Sequence, residues 1–485
     1  MATKKSTTSK KKSSSTSKTT NKLIKTGKKM AKKNPALLVV LIVVLCLGIA
    51  AVAIWWFFFR VDVKFELIGQ QEEKVALNSN YVEKGVVATY NGKDVSSEVI
   101  TTYYLNNEVK ASISTAEKVE YTVKYDLNYQ KYSGSLQRKV KIVEVEEVAF
   151  NFMELGNKYT GDSTYIKAGD TDILIDAGSR NGSASTIATY VDKYCTDGKL
   201  EYVIATHAHQ DHIAGFVGTK EAEGILKHYR IETLIDFVYS NSDAAVYKNY
   251  VSLRDEQVAN GNIAHHYTAA DCIAQTNGAK KVYEIAAGVT MEILDQKFYH
   301  EKTSDENDYS VCTLFTQGNN RYLLTGDLEK DGEASLVERN NLPEVELFKG
   351  GHHGSYTANT DTLLSVIKPK NVCICCCAGS DEYTKNVDNM FPAQAAINRL
   401  GKYTDKIYVT TVVKDTDPGY QSMNGDIRFV CPDGINYTIV GSNNSTILKE
   451  TDWFKKNRTW PTNWNNSKPK KLAIFYLKAY IYRYE

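Results

Sequence analysis

The 485-residue chain has nine cysteines but no Cys-x-x-Cys pair, so a structural zinc ribbon has no support. Four of the nine fall in the apolar run NVCICCCAG, which reads as a buried strand whose thiols pack as small hydrophobes. Residues 1–35 lack any acid and hold 12 Lys, and residues 451–485 lean the same way with 8 basic and 2 acidic residues. The net charge of +2 therefore conceals a body of 39 basic and 55 acidic residues, a balance of −16. Proteins that grip nucleic acid through its phosphates usually show a basic surface, and this body lacks one.

Residues 36–59, ALLVVLIVVLCLGIAAVAIWWFFF, contain no charge. At about 1.5 Å per residue, a helix of that length crosses a hydrocarbon core of about 30 Å. Trp55 and Trp56 suit the far interface. A signal peptide would have an apolar region of only about 7–15 residues followed by small residues at a cleavage site. This run ends in WWFFFR, so it is read as an uncleaved transmembrane helix. The Lys/Ser/Thr-rich stretch 1–35 is too polar to offset its ordering entropy and reads as a disordered cytoplasmic tail. The positive-inside rule then places everything after Arg60 outside the cell membrane.

Between residues 61 and 146, short alternating runs such as VDVKFELI and VEYTVKYDL are separated by polar turns, the rhythm of a small all-β sandwich. NSNYVEKGVVATYNGKDVSSEV, EYTVKYD and KVKIVEV resemble bacterial immunoglobulin-like surface repeats, which implies a spacer or an adhesion module. From residue 147 to 442 strands alternate with helices. DILIDAG, EYVIAT, SVCTLF, RYLLTGD and NVCICCC read as strands, and SASTIATYVDKY, TDTLLSVI and AQAAINRLG as helices. Two β-rich halves with helices outside them predict an α/β fold, an αββα sandwich closed by the hairpin DIRFVCPDG/INYTIVG. Residues 443–485 form a C-terminal tail whose apolar end is too short and too charged to span a membrane.

The chemistry is concentrated in THAHQDHIAG, directly after the strand EYVIA. Three of the chain's nine His, with one Asp, fall within six residues: His207, His209, Asp211 and His212. Imidazole nitrogen and carboxylate oxygen are the donors Zn²⁺ accepts, at about 2.0–2.2 Å. An extended segment sends residues i and i+2 to one side, so His207 and His209 can chelate one ion. Asp211 and His212, as the chain turns into a helix, can face a second.

That HxHxDH pattern resembles the signature of the metallo-β-lactamase superfamily. LGNKYTGDSTYIKAGDTDILIDAG, ENDYSVCTLF, LLTGD and KGGHHGS narrow the resemblance to the metallo-β-lactamase domain of the ComEC competence proteins, over about residues 147–442, without their multi-helix channel. The resemblance implies that Asp176 of DILIDAG supports the ligand loop and that Asp327 of LLTGD bridges two metals. It also implies that one of His352 and His353 completes the second site; spacing does not decide which. Many relatives place a third His on the first metal, upstream of the bridging carboxylate. Here TSDENDYSVC offers Asn307, Asp308 and Ser310 but no His, so the first site is weaker and completed by Asn307, Asp308 or water, with Ser310 behind the ligands or against substrate, and single-metal occupancy is the alternative. The other nearby imidazoles are His300 and the pair His265 and His266, which read as solvated residues in a loop.

The implied activity is hydrolysis by a hydroxide held between two Zn²⁺ ions, with Mn²⁺ as the alternative metal. Asp211 and Asp327 are the catalytic carboxylates, and Ser355 contacts a substrate oxyanion. A phosphodiester is the expected substrate, in nucleic acid or in a cell-envelope polymer. Hydrolysis of a carbonyl ester, as by a lactonase or β-lactamase, is a second reading. A non-catalytic surface binding protein with a degenerate hydrolase domain is a third.

Overall fold

The structure, a computed structural model, describes residues 61–467. The basic stretch 1–35, the apolar run 36–59 and the tail beyond residue 467 lie outside the described residues. Among the described residues, no helix is long and apolar enough to cross a membrane.

Eight strands lie between residues 63 and 143: β1 (Val63–Leu67), β2 (Glu72–Ala76), β3 (Val86–Tyr90), β4 (Lys93–Asp94), β5 (Val99–Leu105), β6 (Glu108–Lys110), β7 (Glu120–Tyr129) and β8 (Tyr132–Val143). They form a three-stranded sheet, β1-β3-β4, and a five-stranded sheet, β2-β8-β7-β5-β6. The chain divides into two compact units. The smaller is built on the three-stranded sheet, with Ala88, Tyr90, Val95 and Leu127 as its buried core.

The larger unit contains two eight-stranded sheets. The first runs β14-β13-β12-β11-β10-β9-β23-β24 and the second β15-β16-β17-β18-β19-β20-β21-β22. In chain order these are β9 (Val148–Phe152), β10 (Thr164–Ala168), β11 (Thr171–Ile175), β12 (Lys199–Ile204), β13 (Arg230–Asp236), β14 (Ile263–Thr268), β15 (Val282–Ala286) and β16 (Val289–Ile293). They continue as β17 (Thr313–Gln317), β18 (Asn320–Leu324), β19 (Leu347–Lys349), β20 (Asn371–Ala378), β21 (Ile407–Val413), β22 (Tyr420–Ser422), β23 (Ile427–Cys431) and β24 (Thr438–Gly441). The helices are α1 (Ser183–Val191), α2 (Gln210–Val217), α3 (Ile225–His228), α4 (Ala245–Ala259), α5 (Ala269–Ala274), α6 (Lys330–Arg339), α7 (Asp361–Ile367), α8 (Gln394–Leu400) and α9 (Asp452–Asn457). This is a mixed α/β fold.

Strand β20 shows how the layers form. Every one of its residues is buried. Cys373 and Cys375 join the core shared with the first sheet, while Val372, Ile374 and Cys376 join the core under α6, α7 and α8. A period of two with both faces apolar is what a central strand covered on both sides requires. Phe150 of β9 meets Phe315 of β17 edge to face at 5.2 Å, so the two sheets share one core. The closing hairpin is β23–β24, and β23 pairs antiparallel with β9. His265 and His266 lie in β14 rather than in a loop, and His266 Nε2 sits 3.0 Å from buried Asp236 Oδ1. Two polar imidazoles in sequence hide a strand that alternates only weakly.

Strands β11, β12 and β13 run parallel in the first sheet, and β18, β19 and β20 in the second. The loops that leave β11, β12, β18 and β19 at their carboxyl ends carry Asp176, His207–His212, Asp327 and His352–His353. Ligand crevices in α/β sheets form at that end.

Candidate metal centre

After β12 the chain stays extended to His209 (φ −69°, ψ 148°) and then enters α2. His207 Nε2 and His209 Nδ1 consequently face each other at 3.0 Å. The first turn of α2 presents Asp211 and His212 to two other loops. His212 Nε2 lies 3.0 Å from Asp327 Oδ2 and 3.3 Å from His353 Nε2. His353 Nε2 is also 3.1 Å from Asp327 Oδ2 and 3.3 Å from Asp211 Oδ2. His207, Asp211, His212, Asp327 and His353 are buried, and His209 is half-buried.

The structure separates the two adjacent histidines. His353 Nε2 joins the cluster, whereas His352 turns its Nδ1 to Glu329 Oε1 at 3.0 Å and keeps its Nε2 3.9 Å from Asp327 Oδ2. Both adopt left-handed backbone, with φ of 47° and 53°, as does Asp176 at 59°. Such φ values cost energy for residues other than glycine, and they gather at functional loops.

A buried network fixes the imidazole tautomers. His212 Nδ1 donates to Asp176 Oδ2 at 2.7 Å, which leaves Nε2 free to coordinate. His353 Nδ1 donates to the Cys375 carbonyl at 2.9 Å with the same effect. Thr206 Oγ1 donates to Asp176 Oδ2 at 2.8 Å and lies 3.1 Å from His207 Nδ1, so it accepts from that ring and turns His207 Nε2 outward. Asp176 thus orients ligands on both sides, an arrangement typical of carboxylate–histidine metal sites.

The donor set fits divalent cations. Four imidazole nitrogens and two carboxylates converge, and Asp327 Oδ1 is buried without a hydrogen-bond partner. The protonation of the cluster points the same way. Burial alone would lower His212 and His353. The charges of Asp327 and Asp176 on the first, and of Asp327 and Asp162 on the second, outweigh it and lift both well above an ordinary imidazole. Burial, helped by the charges of His212 and His209, holds His207 well below that range. Burial would raise Asp211 and Asp327, but neighbouring histidines hold both below the usual carboxylate range. The pocket is thus built around surplus negative charge that protons neutralise where cations would.

The profile of the metallo-β-lactamase superfamily matches residues 156–378, the segment that contributes every one of these residues. The chain carries a metallo-β-lactamase superfamily domain. It is 28% identical over 184 residues to ComE operon protein 3 of Bacillus subtilis (strain 168), a match covering 36% of this chain and 20% of that protein. It is 31% identical over 110 residues to Recombination protein 2 of Haemophilus influenzae, covering 23% of this chain and 13% of that one. The matches therefore span a fifth or less of these relatives' length. Among solved structures, a metallo-β-lactamase from Cronobacter sakazakii shares 16% identity over 40% of this chain and 72% of its own, with a TM-score of 0.24.

The domain places the remaining candidates around this cluster. Ser310 is buried, with Oγ accepting from Asp327 N–H at 3.0 Å and lying 3.5 Å from His207 Nδ1. Asn307 donates to Glu329 Oε1 at 3.2 Å. Ser355 lies in the cleft wall with its Oγ 2.8 Å from Thr357 Oγ1. His300 pairs with Asp295 at 2.7 Å on the surface, and His265 is exposed.

Sequence reasoning passed over three participants. Asp162 groups with His212, Asp327 and His353. It approaches from behind, however, with Oδ1 3.4 Å from His353 Nδ1 and Oδ2 3.9 Å from His212 Nδ1. Those nitrogens point away from Asp327, so Asp162 steadies ligands rather than joining them. Buried Lys349 forms an ion pair with Asp162. Tyr383 donates from its hydroxyl to Asp211 Oδ2 at 2.6 Å. Lys349 lies three residues before the HHGS turn and Asp162 sits in the quoted GDST run, so only the pairing was hidden. Tyr383 had no local signal.

The cluster opens into a cleft of about 820 Å³ lined by His209, Asp211, Asp327, His352 and Ser355 among others. A hollow of similar size, 860 Å³, lined in part by Lys414, Trp453 and Arg458, shares no residue with it.

Proposed function

We propose that this chain is an exported, membrane-anchored, metal-dependent phosphodiesterase. The observation that supports it most is a continuous cluster of donors in which His207 faces His209 at 3.0 Å and lies ring against ring with His212, while His212 and His353 both reach Asp327, at 3.0 Å and 3.1 Å. Sites that hold two cations a short distance apart suit in-line displacement at phosphorus, where attacking and leaving oxygens both need charge stabilised.

His207 and His209 would hold the first ion, and Asp211, His212 and His353 the second, with Asp327 shared. Zn²⁺ fits the imidazole-rich set, and Mn²⁺ is the second choice. The bound cations would lower the pKa of water and polarise the phosphoryl oxygen. Asp211, ionised and held by the Tyr383 hydroxyl, would accept a hydrogen bond from the attacking water and orient it. Desolvation of its hydroxyl end and the Asp211 charge keep the Tyr383 hydroxyl protonated, so it remains a donor. Ser355 would face an oxygen of the substrate.

In the same reading, the uncharged run 36–59 anchors the chain in the cell membrane, residues 61–146 form an immunoglobulin-like spacer, and residues 147–442 form an αββα hydrolase outside the cell. Protease digestion of intact cells tests the placement, since the domain after Arg60 should be removed while the basic tail stays protected.

The test of the activity is hydrolysis of bis-p-nitrophenyl phosphate by the chain purified without chelator. Turnover that is lost in Asp211→Ala supports the reading. A metal-loaded chain that leaves phosphodiesters intact contradicts it.

A further inference from the structure

The chain has 32 tyrosines, and among the described residues only Tyr159, Tyr356 and Tyr383 are classed as exposed, at 38%, 51% and 54%. Two of them line the metal cleft, and the third packs against a residue that does. Tyr356 and Tyr383 line it. Tyr159 lies beneath Arg180, which also lines it, with the guanidinium 3.9 Å from the ring centroid. A lone exposed ring needs no explanation, but two exposed tyrosines lining one cleft mark a contact surface.

Tyr383 is held in place at both ends. Its hydroxyl is bound to Asp211 and its ring lies 5.5 Å from that of Phe391. A ring fixed in that way can be stacked upon with little loss of conformational entropy. The charge of the cleft completes the argument. Of the residues lining it, Arg180 alone carries a Lys or Arg side chain, and it is tied to Glu382. Asp211, Asp327, Glu329 and Glu382 face it across the same cleft. The chain's own side chains therefore supply little attraction to a polyanion, and binding strength beyond the metals must come from ring contact.

Resting on the phosphodiesterase reading, we propose that Tyr356 and Tyr383 are specificity-determining residues that stack the unpaired bases of a single-stranded nucleic acid. Every base offers a π-face, so this contact tolerates any sequence. A duplex keeps its base faces inside its own stack. A polyol-phosphate polymer of the cell envelope has no planar ring to offer. With few phosphates neutralised by Lys or Arg, binding should also depend weakly on salt, unlike that of a basic groove.

The experiment uses the full chain loaded with Zn²⁺ or Mn²⁺ and three probes: a short oligothymidylate, a duplex of the same length, and a glycerol-phosphate polymer. Hydrolysis gives kcat/KM, and fluorescence anisotropy of a labelled oligothymidylate gives binding. The single strand should be preferred over both other probes. Tyr356→Leu should lower the ratio of single-strand to glycerol-phosphate kcat/KM, and weaken oligothymidylate binding, by about five- to a hundredfold. Tyr356→Trp should keep both. Equal turnover of the glycerol-phosphate polymer, or an unchanged ratio in Tyr356→Leu, overturns the proposal while leaving the phosphodiesterase reading intact. Oligothymidylate bound through Tyr356 but never cleaved would sustain the recognition and defeat that reading. No binding and no cleavage defeats both.

Discussion

In the first half of the metal centre, His207 is backed by two hydroxyls, those of Thr206 and Ser310, and the His209 side chain is held against His207. In the second half, His212 and His353, which both reach Asp327, are backed by the Asp176 carboxylate, the Cys375 carbonyl and the buried Asp162–Lys349 pair. His209 is half-buried, while His212 and His353 are fully enclosed. The difference teaches that a metal centre can be stabilised unequally by what lies behind its ligands. The second half should bind its ion more tightly, because its ligand nitrogens are aimed before the ion arrives.

The most damaging change should be Asp327→Ala, which removes the carboxylate common to both halves. We expect metal content to fall towards zero and hydrolysis to drop by about a thousandfold or more, with the circular dichroism spectrum retained. Activity at the wild-type level would reject the shared role. Next should come Lys349→Met, which leaves Asp162 charged and buried without its partner. That costs about 3–5 kcal/mol of stability, read by denaturant unfolding. The double change Asp162→Asn with Lys349→Met should recover most of it. If the single change is silent, the pair does not support the second half.

Asp176→Asn should weaken metal binding by about ten- to a hundredfold in titrations, and should affect both halves because Asp176 reaches His207 through Thr206 and His212 directly. The halves can also be told apart by the protons they release. His212 and His353 hold protons that an incoming ion must displace, whereas burial keeps His207 neutral. Metal affinity at the second half should therefore weaken more steeply as pH falls. Calorimetry in buffers of different ionisation enthalpy should show more protons released by the tighter ion. Equal release would erase the contrast.

The smallest effect concerns Asp308, pushed up to about 7 by burial and by the neighbouring Asp305 charge. Between about pH 4 and 7 the fold keeps a proton there that the unfolded chain gives up, so this group's stability contribution falls as pH rises through that window. Asp308→Asn should raise Tm at pH 8, by about 1–2 kcal/mol in stability, and should change it little near pH 4. A pH-independent effect would contradict that origin.

Much of this centre was legible because its ligands are local. THAHQDH puts four donors on one loop, and Asp176 and Asp327 each end an apolar strand. The strands DILIDAG, RYLLTGD and NVCICCC and the hairpin at β23–β24 could be read from apolar runs and turns. The choice between His352 and His353 could not be read, because two left-handed residues in succession follow no period. The partners that aim the ligands were hidden for a different reason. Asp211 and Tyr383 are 172 residues apart, and Asp162 meets Lys349 only when the two sheets come together. Strand β13, helix α4 and strand β14 went unassigned for want of alternation, which is why His265 and His266 read as loop residues.

The most direct test of the account is metal stoichiometry, measured by elemental analysis of the chain purified without chelator and then by stepwise titration with Zn²⁺ or Mn²⁺. The account predicts two ions per chain with clearly unequal affinities, His209→Ala losing only the weaker one and His353→Ala losing the tighter. A chain that holds no metal and takes up none on titration, or two ions lost together in His209→Ala, would contradict it.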